Sequence, residues 1–186
     1  MNTTEIRNIL KSTIDTKYFS DVLACDQLKL IKSDQFALIV NTDTSNEDGM
    51  HWLALFKEKN SKTIEFFDSF GMPLDFYSKY INDFVEKYDY VKQSGIQIQS
   101  NFSTTCGHFC IFYLEQRCKG IELDTILKHF STSNLTKNDR SVEMFVHQNF
   151  QSKSFSCVAQ DEVTDGTLFG SLIIQCCKII DNMLNK

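Results

Sequence analysis

Proline is almost missing from this chain: Pro73 is the only one in 186 residues, and no Pro-, Gly- or Ser-rich stretch reads as a linker. No internal repeat or low-complexity run appears either. One domain over residues 1–186 is therefore expected. No segment approaches the roughly 20 apolar residues of a membrane span. The opening MNTTEIRNILKSTID carries charges through its apolar positions, so neither a secretory leader nor membrane association is expected. Basic charge is also short. Nineteen Lys and Arg face 24 Asp and Glu, a formal net charge of −5, and the basic residues are scattered. Strong nucleic-acid binding is not expected from such a surface.

The seven cysteines are an odd number, and without a leader a reducing compartment is the default. The sequons at Asn2, Asn101 and Asn134 then carry no glycan. The thiols are left as buried apolar groups, metal ligands or one reactive group. Hydrophobic residues make up 42% of the chain and 16 of them are Phe, enough for a sizeable core.

The spacing predicts a helix over Thr4–Lys11, capped by Thr3 or Thr4, and a buried strand over Gln35–Thr42. Strands over Met50–Lys59 and Lys62–Asp68, joined at Asn60-Ser61, complete an antiparallel meander. Phe76, Tyr80, Phe84 and Tyr88 lie four apart and predict a helix over Asp75–Tyr88. A short strand is expected at Ile96–Gln99. Helices are expected from Cys106 to about Lys119 and over Leu123–Phe130, Asp139–Phe150 and Thr167–Leu184. The class is α+β, a small antiparallel or mixed sheet packed on several helices.

Cys106, in STTCGHFC, stands where a polar loop turns into an apolar helix. There the helix dipole and unpaired N–H groups favour a thiolate. Gly107 beside it would let a substrate backbone approach. A thiol nucleophile needs a base, and the chain has four histidines. His51 follows a turn at the start of a strand, beside the only tryptophan, Trp52. His108 shares the helix of Cys106 but points elsewhere, while His129 and His147 sit in the helical C-terminal half. A third group must orient the imidazole, and Asp68, ending the next strand, is a candidate. Gln99, seven residues ahead of Cys106 (106−99=7), can donate to an oxyanion. A metal site from Cys106, His108 and Cys110 has no matching ligand pair, and no metal is expected.

In this order the residues resemble the adenovirus protease (adenain) family of cysteine peptidases, whose wider clan includes SUMO (Ulp-type) proteases. The likeness runs over Met1–Lys119 and rests on Gly49-x-His51-Trp52, Asp68-x-Phe70-Gly71 and Gln99-x6-Cys106-Gly107. The His-to-acid interval is 17 residues (68−51=17). The resemblance implies a papain-like inverted fold with Cys106, His51, Asp68 and Gln99 as catalytic residues, and Trp52, Gly49 and Gly107 against substrate. Asp68 stands where adenovirus enzymes carry Glu. The resemblance implies a place among the relatives found in virophages and Polinton-like elements, and the Lys/Ile/Asn/Phe-rich composition suits an AT-rich genome.

By resemblance the expected function is cleavage of capsid precursors at glycine-containing sites during virion maturation, inside the virion and the host's cytoplasmic factory. The alternatives are processing of ubiquitin-like proteins and an inactive binding module. The family's best-known members take a viral peptide through a disulfide and use DNA. Here EKYDYVKQSGIQIQ carries no Cys, so a non-covalent peptide is the open activator. A monomer without cofactor is expected.

Overall fold

The computed structural model describes residues 1–151. The expected helix over Thr167–Leu184 lies outside them, as do Cys157, Cys176 and Cys177. In chain order the elements are α1 (Thr3–Thr13), β1 (Phe19–Ala24), β2 (Phe36–Asn41), β3 (Trp52–Lys57), β4 (Thr63–Phe67), α2 (Lys79–Val85) and β5 (Tyr90–Gln93). Then come α3 (Cys106–Cys118), α4 (Leu123–Leu127) and α5 (Leu135–Val146). Short 3₁₀ turns lie at Cys25–Leu30 and Leu74–Phe76, and a π-helix at His147–Gln151. Met1–Val146 pack as one compact unit.

The five strands lie in the order β1-β2-β3-β4-β5. The central three form the expected antiparallel meander, while β1 and β5 add parallel strands at either edge. β2 and β3 are buried on both faces, which is why they read as unbroken apolar runs. On one face Phe36, Leu38, Leu53, Leu55 and Phe66 meet Ile81, Phe84 and Val85 of α2. On the other, Phe67 stacks on Tyr113 of α3 at 4.4 Å, and Glu65 is gripped by Arg117 at 2.8 and 2.9 Å. The fold is therefore α+β with a mixed sheet between helices.

Several expectations are corrected. Asn2, not Thr3 or Thr4, caps α1, in a reciprocal capping box with Glu5. The helix expected over Asp75–Tyr88 shrinks to α2, because Phe76 and Tyr80 face solvent and the core stripe is Ile81, Phe84 and Val85. Ile96–Gln99 is not a strand. Ile98 and Gln99 both direct their N–H groups to one carbonyl, Ser69 O, at 2.9 and 3.0 Å, which no ladder does.

Candidate active site

The meander brings the site together. β3 and β4 pair with Ala54 opposite Phe67. Extending that register places His51, just before β3, across from the turn that follows β4. His51 Nε2 meets Asp68 Oδ1 at 2.7 Å, and the imidazole lies 4.9 Å from the Phe70 ring.

Asp68 is fully buried and its carboxylate is saturated. Besides His51 it accepts from Phe70 N (3.0 Å), Met72 N (2.8 Å) and the Tyr77 hydroxyl (2.8 Å). Burial alone would raise its pKa, but these donors, His51 first, hold it below the ordinary carboxylate value. Gly71 closes the turn at φ 68°, and a Cβ there would run into the backbone of Ile96 and Gln97. Its missing side chain lets the Gln97–Gln99 segment lie against the Asp68 turn.

That approach positions Gln99, which is fully buried. Ser69 Oγ donates to its Oε1 at 2.6 Å and so orients the amide. Its Nε2 donates one proton to Ser103 O at 3.1 Å, leaving the second amide proton for another acceptor. Cys106 is the first residue of α3, so its backbone N–H lacks an intrahelical partner. Ser69 was missed in the sequence, where it reads as a turn residue between Asp68 and Phe70.

A second device, also missed, holds the loop between Gln99 and Cys106. Asp139 of α5 accepts from the hydroxyls of Ser100 (2.5 Å), Ser103 (3.0 Å) and Thr105 (2.9 Å). Its neighbour Asn138 donates to Ile98 O at 2.8 Å. One helix thus ties down both ends of the segment that carries the amide and the thiol.

The electrostatics single out one cysteine. Burial would raise Cys106, but His51, the Trp52 N–H and the Gly107 N–H stabilise the thiolate and lower its pKa. Burial likewise pulls His51 down, and Asp68 together with Cys106 overrides it, raising the imidazole from 6.5 to about 9. His51 Nδ1 is buried with no other hydrogen-bond partner among the described residues. With Nε2 committed to Asp68, Nδ1 is the nitrogen left to act on Cys106. The other described thiols go the opposite way, since burial raises Cys25, Cys110 and Cys118, the last to about 12. Cys110 donates to Trp52 O at 3.3 Å, in the core.

His108 is pulled to about 4, chiefly by burial, which makes it a poor proton acceptor. His129 lies beyond the end of α4 and His147 opens the π-helix. Among the described residues no cluster of three His, Cys, Asp or Glu side chains could hold a metal ion.

Trp52 and Gly49 line a cleft of about 240 Å³ with Asn41, Thr44 and Asp48. Gly49 (φ 85°) has no room for a Cβ against the Asn41 side chain. Gly107 has a different reason to be glycine from the open approach expected. It is buried, and a Cβ would meet Ile6 Cδ1 at 3.0 Å and Trp52 Cδ1 at 3.4 Å, so it serves the packing of α3 on α1.

The family model described as adenovirus endoprotease matches residues 27–163, well over half of the chain. The chain belongs to the adenovirus endoprotease family. A protease of porcine adenovirus A serotype 3 is 33% identical over 100 residues, which cover 46% of this chain and 48% of that protein. The chain thus spans about half the length of this curated relative. Two crystal structures of an ASFV protease share the fold. Their TM-scores are 0.53 and 0.52 at 19% and 15% identity, covering 73% and 72% of this chain and 64% and 63% of theirs. The family is one of cysteine peptidases, and in this member Cys106 heads α3 beside the His51–Asp68 pair.

Proposed function

We propose that the chain is a cysteine endopeptidase with Cys106 as nucleophile, His51 as proton carrier and Asp68 as its orienting carboxylate. Gln99 and the Cys106 N–H form the oxyanion hole. The observation that carries this reading is the placement of His51, held on Asp68 at 2.7 Å with its Nδ1 otherwise unpartnered among the described residues, beside a Cys106 that heads α3. The lowered thiol and raised imidazole agree with it. The reacting form is a thiolate beside an imidazolium. The thiolate adds to the scissile carbonyl, and the oxyanion accepts from Gln99 Nε2 and the Cys106 N–H. As the C–N bond breaks, His51 gives its proton to the leaving amine, and a thioester remains on Cys106. Neutral His51 then takes a proton from water, whose oxygen attacks the thioester. The C–S bond breaks, the acid product leaves, and the ion pair is restored.

The substrates are capsid precursors cut at glycine-containing sites during virion maturation, in the particle and the host's cytoplasmic factory. Family membership supports this choice. The virophage or Polinton-type origin belongs to the same proposal. The test is incubation of purified protein with glycine-containing peptides from a capsid precursor, and with a ubiquitin-like protein extended past its C-terminal glycines. Cleavage of the capsid peptides, lost in Cys106→Ala, is expected. Cleavage of the ubiquitin-like tail alone would replace this substrate class with the other.

A further inference from the structure

The cleft beside Trp52 is not the larger one. On the His51 side lies a groove of about 490 Å³, within the range of sites that take a ligand group. Its walls are Met50, Phe70, Met72, Phe76 and Tyr77, and its lining includes the His51 ring but not Cys106 or Trp52. Met50 is 88% exposed and Phe76 65%, so two large apolar side chains stand in water around a concave surface. Such a patch marks a binding site more often than a resting surface. At its polar rim Gln97 Nε2 donates to Asn101 Oδ1 at 2.6 Å.

The chemistry says which part of a substrate meets this groove. His51 must hand its proton to the leaving amine, so the residues that follow the scissile bond depart past the imidazole. The residues before it stay attached to Cys106, toward Trp52 and Gly49. We infer that the groove is a specificity pocket for one large apolar side chain, of the Leu, Met or Phe kind, carried just after the scissile bond. This rests on the peptidase reading above and adds a requirement that reading does not contain. Side chains of an extended substrate alternate between faces, so only one of the first two leaving-side positions enters the groove.

The experiment uses peptides identical up to the scissile glycine, with Leu, Ala or Asp at the first or second position after it. At one of the two positions Leu is preferred over Asp by about 10-fold or more in kcat/KM, the discrimination a partly open apolar pocket provides. Met50→Ser with Phe76→Ser removes two exposed side chains and spares the fold. It brings that preference to within about threefold while iodoacetamide still alkylates Cys106 at the wild-type rate. A second reading needs no turnover. With Cys106→Ala protein, a peptide bearing the preferred residue shifts the methyl resonances of Met50 and Met72 in NMR, and the Asp peptide does not. Equal use of all peptides, a preference unchanged in the double variant, or methyl shifts absent or indifferent to the side chain overturns the pocket. Loss of all cleavage with Cys106 unreactive would instead sink the peptidase reading, while the methyl shifts still decide the pocket.

Discussion

Replacing Asp68 by Asn removes one charge and almost no volume, yet it should affect both catalysis and stability. His51 is raised from 6.5 to about 9, with hydrogen bonding to Asp68 the foremost support against burial. At about 1.4 kcal/mol per pH unit that rise corresponds to roughly 3 kcal/mol in favour of imidazolium. Returning the imidazole to its ordinary value lowers its protonated fraction at pH 7 only about fourfold, so most of the expected loss of about 10²–10³-fold in kcat/KM comes from an imidazole no longer held in the right tautomer and orientation. The alkaline limb of the pH profile, set by His51 losing its proton, moves to lower pH. The fold should notice as well. Four donors converge on the carboxylate, two of them backbone N–H groups. An amide offers one oxygen and turns its own NH₂ toward the Met72 N–H and Tyr77 hydroxyl. One stranded buried donor costs about 1–3 kcal/mol. At about 2–4 °C per kcal/mol for a chain this long, the melting temperature falls by about 2–12 °C. The assay pairs a pH series of kcat/KM with thermal melts, and near-UV circular dichroism confirms that the variant is folded. A folded Asp68→Asn protein with kcat/KM within threefold of wild type, or an unmoved alkaline limb, refutes the reasoning.

Cys106→Ala should abolish cleavage and leave the melting temperature nearly unchanged, and mass spectrometry should find limiting iodoacetamide on Cys106 ahead of Cys25, Cys110 and Cys118. Gln99→Ala should lower kcat by about 10²–10³-fold, the usual loss for one oxyanion donor; a smaller loss makes it structural only. Asp139→Asn should lower kcat by about 10-fold by loosening the loop between Gln99 and Cys106 while the iodoacetamide rate holds, since three charge-assisted bonds weaken but the ion pair is untouched; equal losses in both would mean that Asp139 merely supports the fold. Activity should need no disulfide-linked peptide and respond little to duplex DNA at physiological salt, because Asp and Glu flank the site and phosphate binding requires a basic strip; strong, salt-sensitive stimulation in a peptide assay would contradict this.

Cys106, His51, Asp68 and Gln99 could be picked out as candidates because each occupies a boundary that pattern reveals, and the structure pairs His51 with Asp68. Cys106 marks a polar loop turning apolar, His51 and Asp68 bracket a meander, and Gln99 precedes the loop. What stayed hidden depends on partners distant in sequence. Edge strands β1 and β5 are parallel to their neighbours, so no hairpin announces them, and their half-exposed residues blur the alternation. Ile96–Gln99 alternates like a strand although Gly71 leaves it room only to lie across the Asp68 turn. Phe76 and Tyr80 kept a helical spacing while facing water, and one of them now walls a groove. The clamp from Asp139 reaches 34 to 39 residues back along the chain, to hydroxyls that read as ordinary loop polarity.

The most direct test of the central claim is rapid acid quenching during turnover of a glycine-containing peptide ester, followed by mass spectrometry of the chain. The account predicts a thioester adduct of the acyl fragment on Cys106, accumulating in a burst and missing from Cys106→Ala. An adduct on any other residue, or turnover by Cys106→Ala without one, would contradict it.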